Sequence, residues 1–461
     1  MESKYYSRTY FEWKKYTWWD LVLTNQNEKG MYSFNIDKFY QNYLAGPKLF
    51  KKREALEPSF IPDVLPHRNP EIEKLAGITA CALKGDVPPN ILCYGMTGTG
   101  KTATVRYISQ KLAQHCSNNP PWWVYINCTV VSTPYRILAH IYNTIVGKEK
   151  IPATGLPKDI ILKKLLGLLD QMVKNSICFL VLDEIDILIE KRGGNEILYN
   201  LTRLNENLDL CRTSVIGISN KLKFMEYLDA RVTSNLEEEE PIVFHPYDAN
   251  QLADILTQRA KIAFIEGAID NGVVKLCAGL AAKEHGDARK ALQLLRKAGE
   301  LAERNQNKKI MESHVIKAQK DIEKDHIVEY ILSMPLQTQL TLTAIYLLSK
   351  FAKQHVITSG DIYEVHSELS DKVPGLKQLT RRRISDYINE LTLSGLISAN
   401  TRSMGHYGRT KFIKLDIDLV LIERVLSQIK KIQDHKLLEY RPIILQTDKV
   451  KLKNIVFRKL I

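Results

Sequence analysis

At 461 residues, 44% hydrophobic and 25% charged, the chain is long enough for two or three domains, each with its own core. No run approaches the roughly 18 apolar residues of a membrane span. The N-terminus also lacks an apolar leader, so neither a spanning nor a secreted protein is expected. The seven cysteines form no C-x-x-C pair, which argues against structural zinc or a disulfide framework and for a reducing cytoplasm. The formal net charge of +13 is concentrated at the C-terminal end: residues 331–461 carry 21 Lys and Arg against 12 Asp and Glu. That imbalance points to a polyanionic partner for this part of the chain.

Residues 1–47 form an arm rich in aromatics (Tyr5, Tyr6, Tyr10, Phe11, Trp13, Tyr16, Trp18 and Trp19) without a helical stripe. It is expected to pack on the protein's own surface, with a partner surface as the alternative. Residues 48–246 alternate helical stretches with apolar runs at Ile91–Tyr94, Trp123–Asn127, Ile177–Leu182 and Ser214–Ser219. This is the pattern of an α/β domain with a parallel sheet.

The first of those runs delivers the chain into Gly95, Met96, Thr97, Gly98, Thr99, Gly100, Lys101 and Thr102, followed by helical spacing from Ala103 to Leu112. A glycine-rich turn at a helix N-terminus aims several backbone N–H groups and the positive helix end at one anion. Lys101 can reach the β- and γ-phosphates of a nucleotide, and the Thr102 hydroxyl can hold Mg²⁺. The third run ends in Asp183 and Glu184. At the edge of a buried strand, Asp183 is placed to hold Mg²⁺ through water and Glu184 to polarise the water attacking the γ-phosphate. The fourth run ends at Asn220, whose amide is placed to orient that water.

Residues 247–326 lose the strand pattern and take helical spacing at Asn250–Phe264 and Asp287–Arg304, as in a helical lid domain. Asp287 is a candidate N-cap. Arg289, in the first turn, opposes the helix dipole, a cost that a facing phosphate would offset. Residues 327–461 place helical segments Leu340–Lys353, Ser359–Leu369 and Leu379–Leu393 before strand-like runs Gly395–Asn400 and Thr410–Leu415. Three helices and a β-hairpin describe a winged helix, followed here by a basic tail.

Taken together these strings resemble AAA+ ATPases of the archaeal origin-recognition type, relatives of the eukaryotic origin recognition complex and its helicase-loader partner. The resemblance covers roughly residues 48–425. Besides the phosphate motifs and Asn220, it rests on Pro62–Arg68, Arg231–Leu236, Phe244–Tyr247, Gly286–Leu292, Leu379–Asp386 (LTRRRISD) and Gly405–Thr410 (GHYGRT). It implies an ATP- or ADP-bound initiator that binds double-stranded DNA at a replication origin and helps recruit the replicative helicase, with other initiator copies as further candidate partners, in the cytoplasm at the nucleoid. Lys101 and Thr102 would hold phosphate and Mg²⁺, Asp183 and Glu184 the metal and hydrolysis roles, and Asn220 and Arg289 the two nucleotide sensors. The stretch from Asn127 to about Lys163 corresponds to the family's inserted helix and DNA-touching loop. The expected neighbour-completing Arg is replaced by Asn235, with Arg231 four residues upstream. A slow, switch-like ATPase therefore fits better than a motor.

DNA contacts are expected from Arg381, Arg382 and Arg383 near the start of the third helix, of which one or two reach phosphate or a guanine edge and the other packs or pairs elsewhere, with Lys377 and Thr380 flanking them. At the wing, Gly405 and Gly408 permit a tight tip, Tyr407 stiffens it, and Arg409 and Thr410 face the backbone or minor groove. Two other functions remain compatible with these residues. One is a nucleotide-regulated transcriptional regulator, including a repressor of a sister initiator. The other, disfavoured by Asn235, is a ring-forming clamp-loader-like or transposition ATPase.

Overall fold

The structure, a computed structural model, describes residues 47–116, 119–152, 154–236, 241–351, 356–403 and 409–445. The aromatic arm up to residue 46 and the tail from 446 lie outside the described residues. A five-stranded parallel sheet carries the first half of the chain. Its strands are β1 (Ile91–Gly95), β2 (Trp122–Asn127), β3 (Ile177–Asp183), β4 (Arg212–Ser219) and β5 (Ile242–Phe244), ordered β2-β3-β4-β1-β5.

The inner strand β3 is buried on both faces, as a parallel sheet wrapped by helices requires. Its side chains alternate between two cores with the strand's period of two. Cys178, Leu180 and Leu182 join the cluster that contains residues of α3 (Pro134–Val146) and α4 (Lys158–Met172). Ile177, Phe179 and Val181 join the cluster that contains residues of α1 (Asn69–Thr79) and α2 (Lys101–His115). Two further helices, α5 (Gly194–Thr202) and α6 (Ala230–Leu236), pack beside the sheet. β5 has no counterpart in the sequence reading, because three residues are too few to show alternation. It is held by parallel pairing to β1 from Cys93 to Gly95.

Four helices follow: α7 (Ala249–Ala263), α8 (Val273–Lys283), α9 (Ala288–Arg304) and α10 (Glu312–Ser333). Asp248 begins α7 with a reciprocal capping box to Gln251, and Asp287 caps α9 by accepting the Arg289 N–H. Their shared core takes in Leu49, Phe50, Ala55 and Leu56, from well upstream of the sheet. α10 is continuous over 22 residues, passing through 326 and 327, where the residue pattern changes in the sequence.

The C-terminal unit contains α11 (Leu336–Phe351), β6 (Ile357–Thr358), α12 (Ser359–Asp371), α13 (Arg381–Leu393), β7 (Ile397–Ser403), β8 (Arg409–Leu415) and α14 (Leu419–Leu426). β7 and β8 form the wing hairpin, and the two-residue β6 pairs with β8 to complete a small antiparallel sheet. This is a winged helix with its own buried core. Among the described residues, no helix is long and apolar enough to cross a membrane.

Candidate nucleotide site and nucleic-acid surface

The sheet order places β4 between β1 and β3, so three strand ends converge at one edge. A cavity of about 430 Å³ opens there, lined by Gly98, Thr99, Gly100, Lys101, Thr102 and Ala103 from the glycine-rich turn and α2. Asp183 at the end of β3, Glu184 just after it and Arg289 from α9 also line it. Gly95 ends β1, and its carbonyl and that of Met96 accept hydrogen bonds from the Lys101 ammonium at 2.9 and 2.7 Å. Thr97 is exposed and lies off the cavity wall.

Burial pushes the Lys101 ammonium down to about 8, and the guanidinium of Arg289 pushes in the same direction. Two cations facing one cavity disfavour each other, and an anion between them would relieve both. The Thr102 hydroxyl donates to the Asp183 carboxylate at 2.9 Å. Burial raises the Asp183 pKa, the adjacent Glu184 adds to that, and the Thr102 hydrogen bond opposes it. A half-buried hydroxyl–carboxylate pair beside a phosphate loop fits Mg²⁺, which takes one or two protein oxygens and otherwise water and phosphate. Among the described residues, no cluster of three or more His, Cys, Asp or Glu offers an all-protein metal cage.

Glu184 has φ of 58°, a left-handed conformation uncommon outside glycine. Its carboxylate accepts a hydrogen bond from the Thr129 hydroxyl, just after β2. Asn127, paired in register with Asp183, lines the cavity as well. Asn220 stands directly after β4 but does not line the cavity. Its backbone N–H donates to Asp186 at 3.1 Å, and the Ser219 hydroxyl donates to the same carboxylate oxygen.

The helical unit touches the phosphate loop directly. Ala288 N–H donates to the Gly98 carbonyl, and a Cβ on Gly98 would lie 1.8 Å from the Asp287 carboxylate. Only glycine fits there. Arg68 is 4% exposed and bridges four parts of the site. It donates to the Thr99 carbonyl, the Tyr247 hydroxyl, the His245 carbonyl and the Glu71 carboxylate, and it stacks on the Tyr247 ring at 3.9 Å. Sequence reading gave no role to Arg68, Asp186, Thr129, Asn127 or Tyr247. Arg68 and Tyr247 end two of the strings that carry the family resemblance, and Asn127 ends the second apolar run; Asp186 and Thr129 carry no such mark.

The cavity is also lined by Pro58, Ile61, Pro62 and Leu65 and by Ile255 and Leu292 from α7 and α9. Apolar lining joined to an anion cradle suits a nucleotide.

Asn235 is tied inward, its amide donating to the Thr202 hydroxyl and its carbonyl accepting from Asn90. Arg231 is exposed, 3.8 Å from the Asp229 carboxylate. Lys148, Glu149 and Lys150, after α3, are exposed, while Ile151 is buried.

On the winged helix, the Thr380 side chain caps α13 by accepting the Arg383 N–H. Arg381, Arg382 and Arg383 are all exposed in its first turn. Arg381 lies over the Tyr363 ring and Arg383 over Tyr387, and Lys377 is exposed just before the helix. Lys411 on β8 donates to Ser385 and Asn389 of α13, fixing wing strand to helix. Thr410, on the same strand, lies 3.4 Å from the Ser359 hydroxyl. Gly405, Tyr407 and Gly408 lie outside the described residues, and Arg409 is described only as the backbone start of β8.

This combination defines an AAA+ P-loop ATPase with a helical lid and a C-terminal winged helix. Family models match the same three parts: an AAA domain over residues 86–225, a Cdc6 AAA+ ATPase-type lid domain over 253–320 and a CDC6 C-terminal winged helix domain over 329–425. The chain is 48% identical over 409 residues to an ORC1-type DNA replication protein of Pyrococcus furiosus, covering 88% of this chain and 96% of that protein. It is 42% identical over 408 residues to ORC1-type DNA replication protein 1 of Methanosarcina acetivorans, covering 87% and 97%. Its fold is similar to the Aeropyrum pernix ORC1 protein solved in complex with DNA, with 41% identity and a TM-score of 0.71 over 84% of this chain and 98% of that one. Cdc6p from Pyrobaculum aerophilum shares the fold at 24% identity and a TM-score of 0.53, over 83% and 99%. The chain belongs to the archaeal ORC1-type replication-initiator family of AAA+ ATPases.

Proposed function

We propose that this chain is a nucleotide-switched initiator that holds ATP or ADP with Mg²⁺, binds duplex DNA at a replication origin and promotes recruitment of the replicative helicase. The convergence of Lys101, the Thr102–Asp183 pair, Glu184 and Arg289 on one cavity supports this reading most strongly.

The amides at the α2 N-terminus and the Lys101 ammonium bind the β- and γ-phosphates. Thr102 and Asp183 hold Mg²⁺, which when bound would neutralise phosphate charge. Glu184 orients the attacking water, and its hydrogen bond from Thr129 holds the carboxylate back from that task. Asn220, placed by Asp186, and Arg289, placed by the Asp287 cap, serve as the two nucleotide sensors. Gly95 and Met96 act through Lys101, and Thr97, Gly98, Thr99, Gly100 and Ala103 shape the loop. Hydrolysis is slow, because Asn235 is tied inward where a neighbour-completing Arg would have to project.

The winged helix reads DNA. Arg382 and Lys377 reach phosphates or base edges, and Arg381 and Arg383 do so from positions braced on tyrosine rings. The wing from Gly405 to Thr410 follows the adjoining backbone. The complex of the similar Aeropyrum pernix ORC1 with DNA supports this part of the reading. Calorimetric titration with Mg²⁺–ADP tests the nucleotide half. Wild type is expected to bind one equivalent and Lys101→Ala none, and stoichiometric binding by the variant refutes the site.

A further inference from the structure

Residues 49–68 precede the sheet in sequence, yet the helical lid holds their main chain at successive points. The Glu303 carboxylate, 8% exposed near the C-terminal end of α9, accepts the Leu49 and Phe50 N–H groups at 2.8 and 3.2 Å. Its second oxygen pairs with Arg53. Arg259 of α7, also buried, donates to the Ala55 and Phe60 carbonyls at 3.1 and 2.8 Å. Gln258 of α7 donates to the Val64 carbonyl at 3.0 Å. The Phe50 ring packs 4.6 Å from Phe264, in a gap that exists because residue 299 is glycine. A Cβ there would come within 2.6 Å of Phe50 and 2.8 Å of Phe264.

The strap fixed in this way carries Pro58, Ile61, Pro62 and Leu65, part of the apolar lining of the nucleotide cavity. The same two helices that hold the strap add Ile255 and Leu292 to that lining. α9 thus presents Arg289 to the phosphate end in its first turn and grips the strap through Glu303 in its last.

We propose that Glu303 is a positioning residue for the nucleobase: by latching the strap to the lid it sets the width of the base slot, independently of the phosphate cradle. This rests on reading the cavity as a nucleotide site. Buried carboxylate hydrogen bonds to backbone amides are strong, and losing the acceptor strands two buried N–H groups. Gly299→Ala attacks the same latch without changing charge and suits a helix interior.

The test compares ADP with inorganic pyrophosphate, each with Mg²⁺, by calorimetry on the full chain. Glu303→Ala and Gly299→Ala are expected to weaken ADP roughly 5- to 50-fold. Pyrophosphate affinity should stay within about twofold, since no phosphate contact changes. Glu303→Gln, which keeps an acceptor for the two amides, should recover most of the ADP affinity. ADP affinity unchanged in both Ala variants overturns the latch, as does an equal loss of ADP and pyrophosphate, which would mean the whole lid had come loose. A wild-type chain that binds neither ligand overturns the nucleotide reading itself, and the latch with it.

Discussion

Lys101 is the residue whose electrostatics are most tightly bound to function. With its pKa lowered to about 8, the free protein loses the ammonium's charge as pH rises through that value. Bound phosphate favours the charged form and raises the pKa, so affinity is fully present below about 8 and declines above it until the bound-state pKa is passed. ADP affinity measured from pH 7.5 to 9.5 is therefore expected to fall progressively above pH 8, and a flat profile would contradict this role. Lys101, Thr102, Asp183 and Glu184 were legible in the sequence because their chemistry is concentrated in short strings. Arg68 was not. Its value comes from contacts with Thr99, His245 and Tyr247, and the last two lie more than 170 residues away. Asp186 was hidden for a related reason: it holds Asn220 and Ser219 from a neighbouring strand end.

Helices with a clear apolar stripe, α7 and α9 among them, were readable, and their caps set their limits, whereas α10, 22 residues long, was not read. α13 starts at Arg381 rather than Leu379 because Thr380 takes the N-cap. β5 and β6, at three and two residues, carry no period of their own and exist only through pairing to β1 and β8. The first turn of α13 keeps three guanidiniums on the surface, two of them braced on Tyr363 and Tyr387. Bracing reduces the conformational freedom lost on binding. If the module neutralises four to six phosphates, affinity should fall with salt at a log–log slope of roughly −4 to −5. Arg382→Ala is expected to weaken binding to every duplex and to make the slope shallower by about 1. An unchanged slope with sequence-selective loss would instead make Arg382 a base reader.

At the scale of the molecule, the chain contains separate buried cores for the sheet, the lid and the winged helix, and two continuous features tie them together. The strap at residues 49–68 joins the lid core before the sheet begins. α10 carries the lid into the winged helix without a break and contacts α14 there. A rigid helix between lid and reader gives nucleotide occupancy a physical route to the DNA surface, provided the lid has two positions that ligands bind unequally. The strap's allegiance to the lid was invisible in sequence, because neighbours in the chain need not share a core.

The most direct measurement is the equilibrium affinity for duplex origin DNA at fixed salt, by fluorescence anisotropy, for wild type saturated with Mg²⁺–ADP or Mg²⁺–ATP and for Lys101→Ala. Nucleotide-loaded wild type is expected to bind at least about fivefold more tightly than the variant, the lower end of ordinary site-to-site coupling. Equal affinity in all three samples would show that the nucleotide cavity and the winged helix act independently, contradicting a nucleotide-switched initiator.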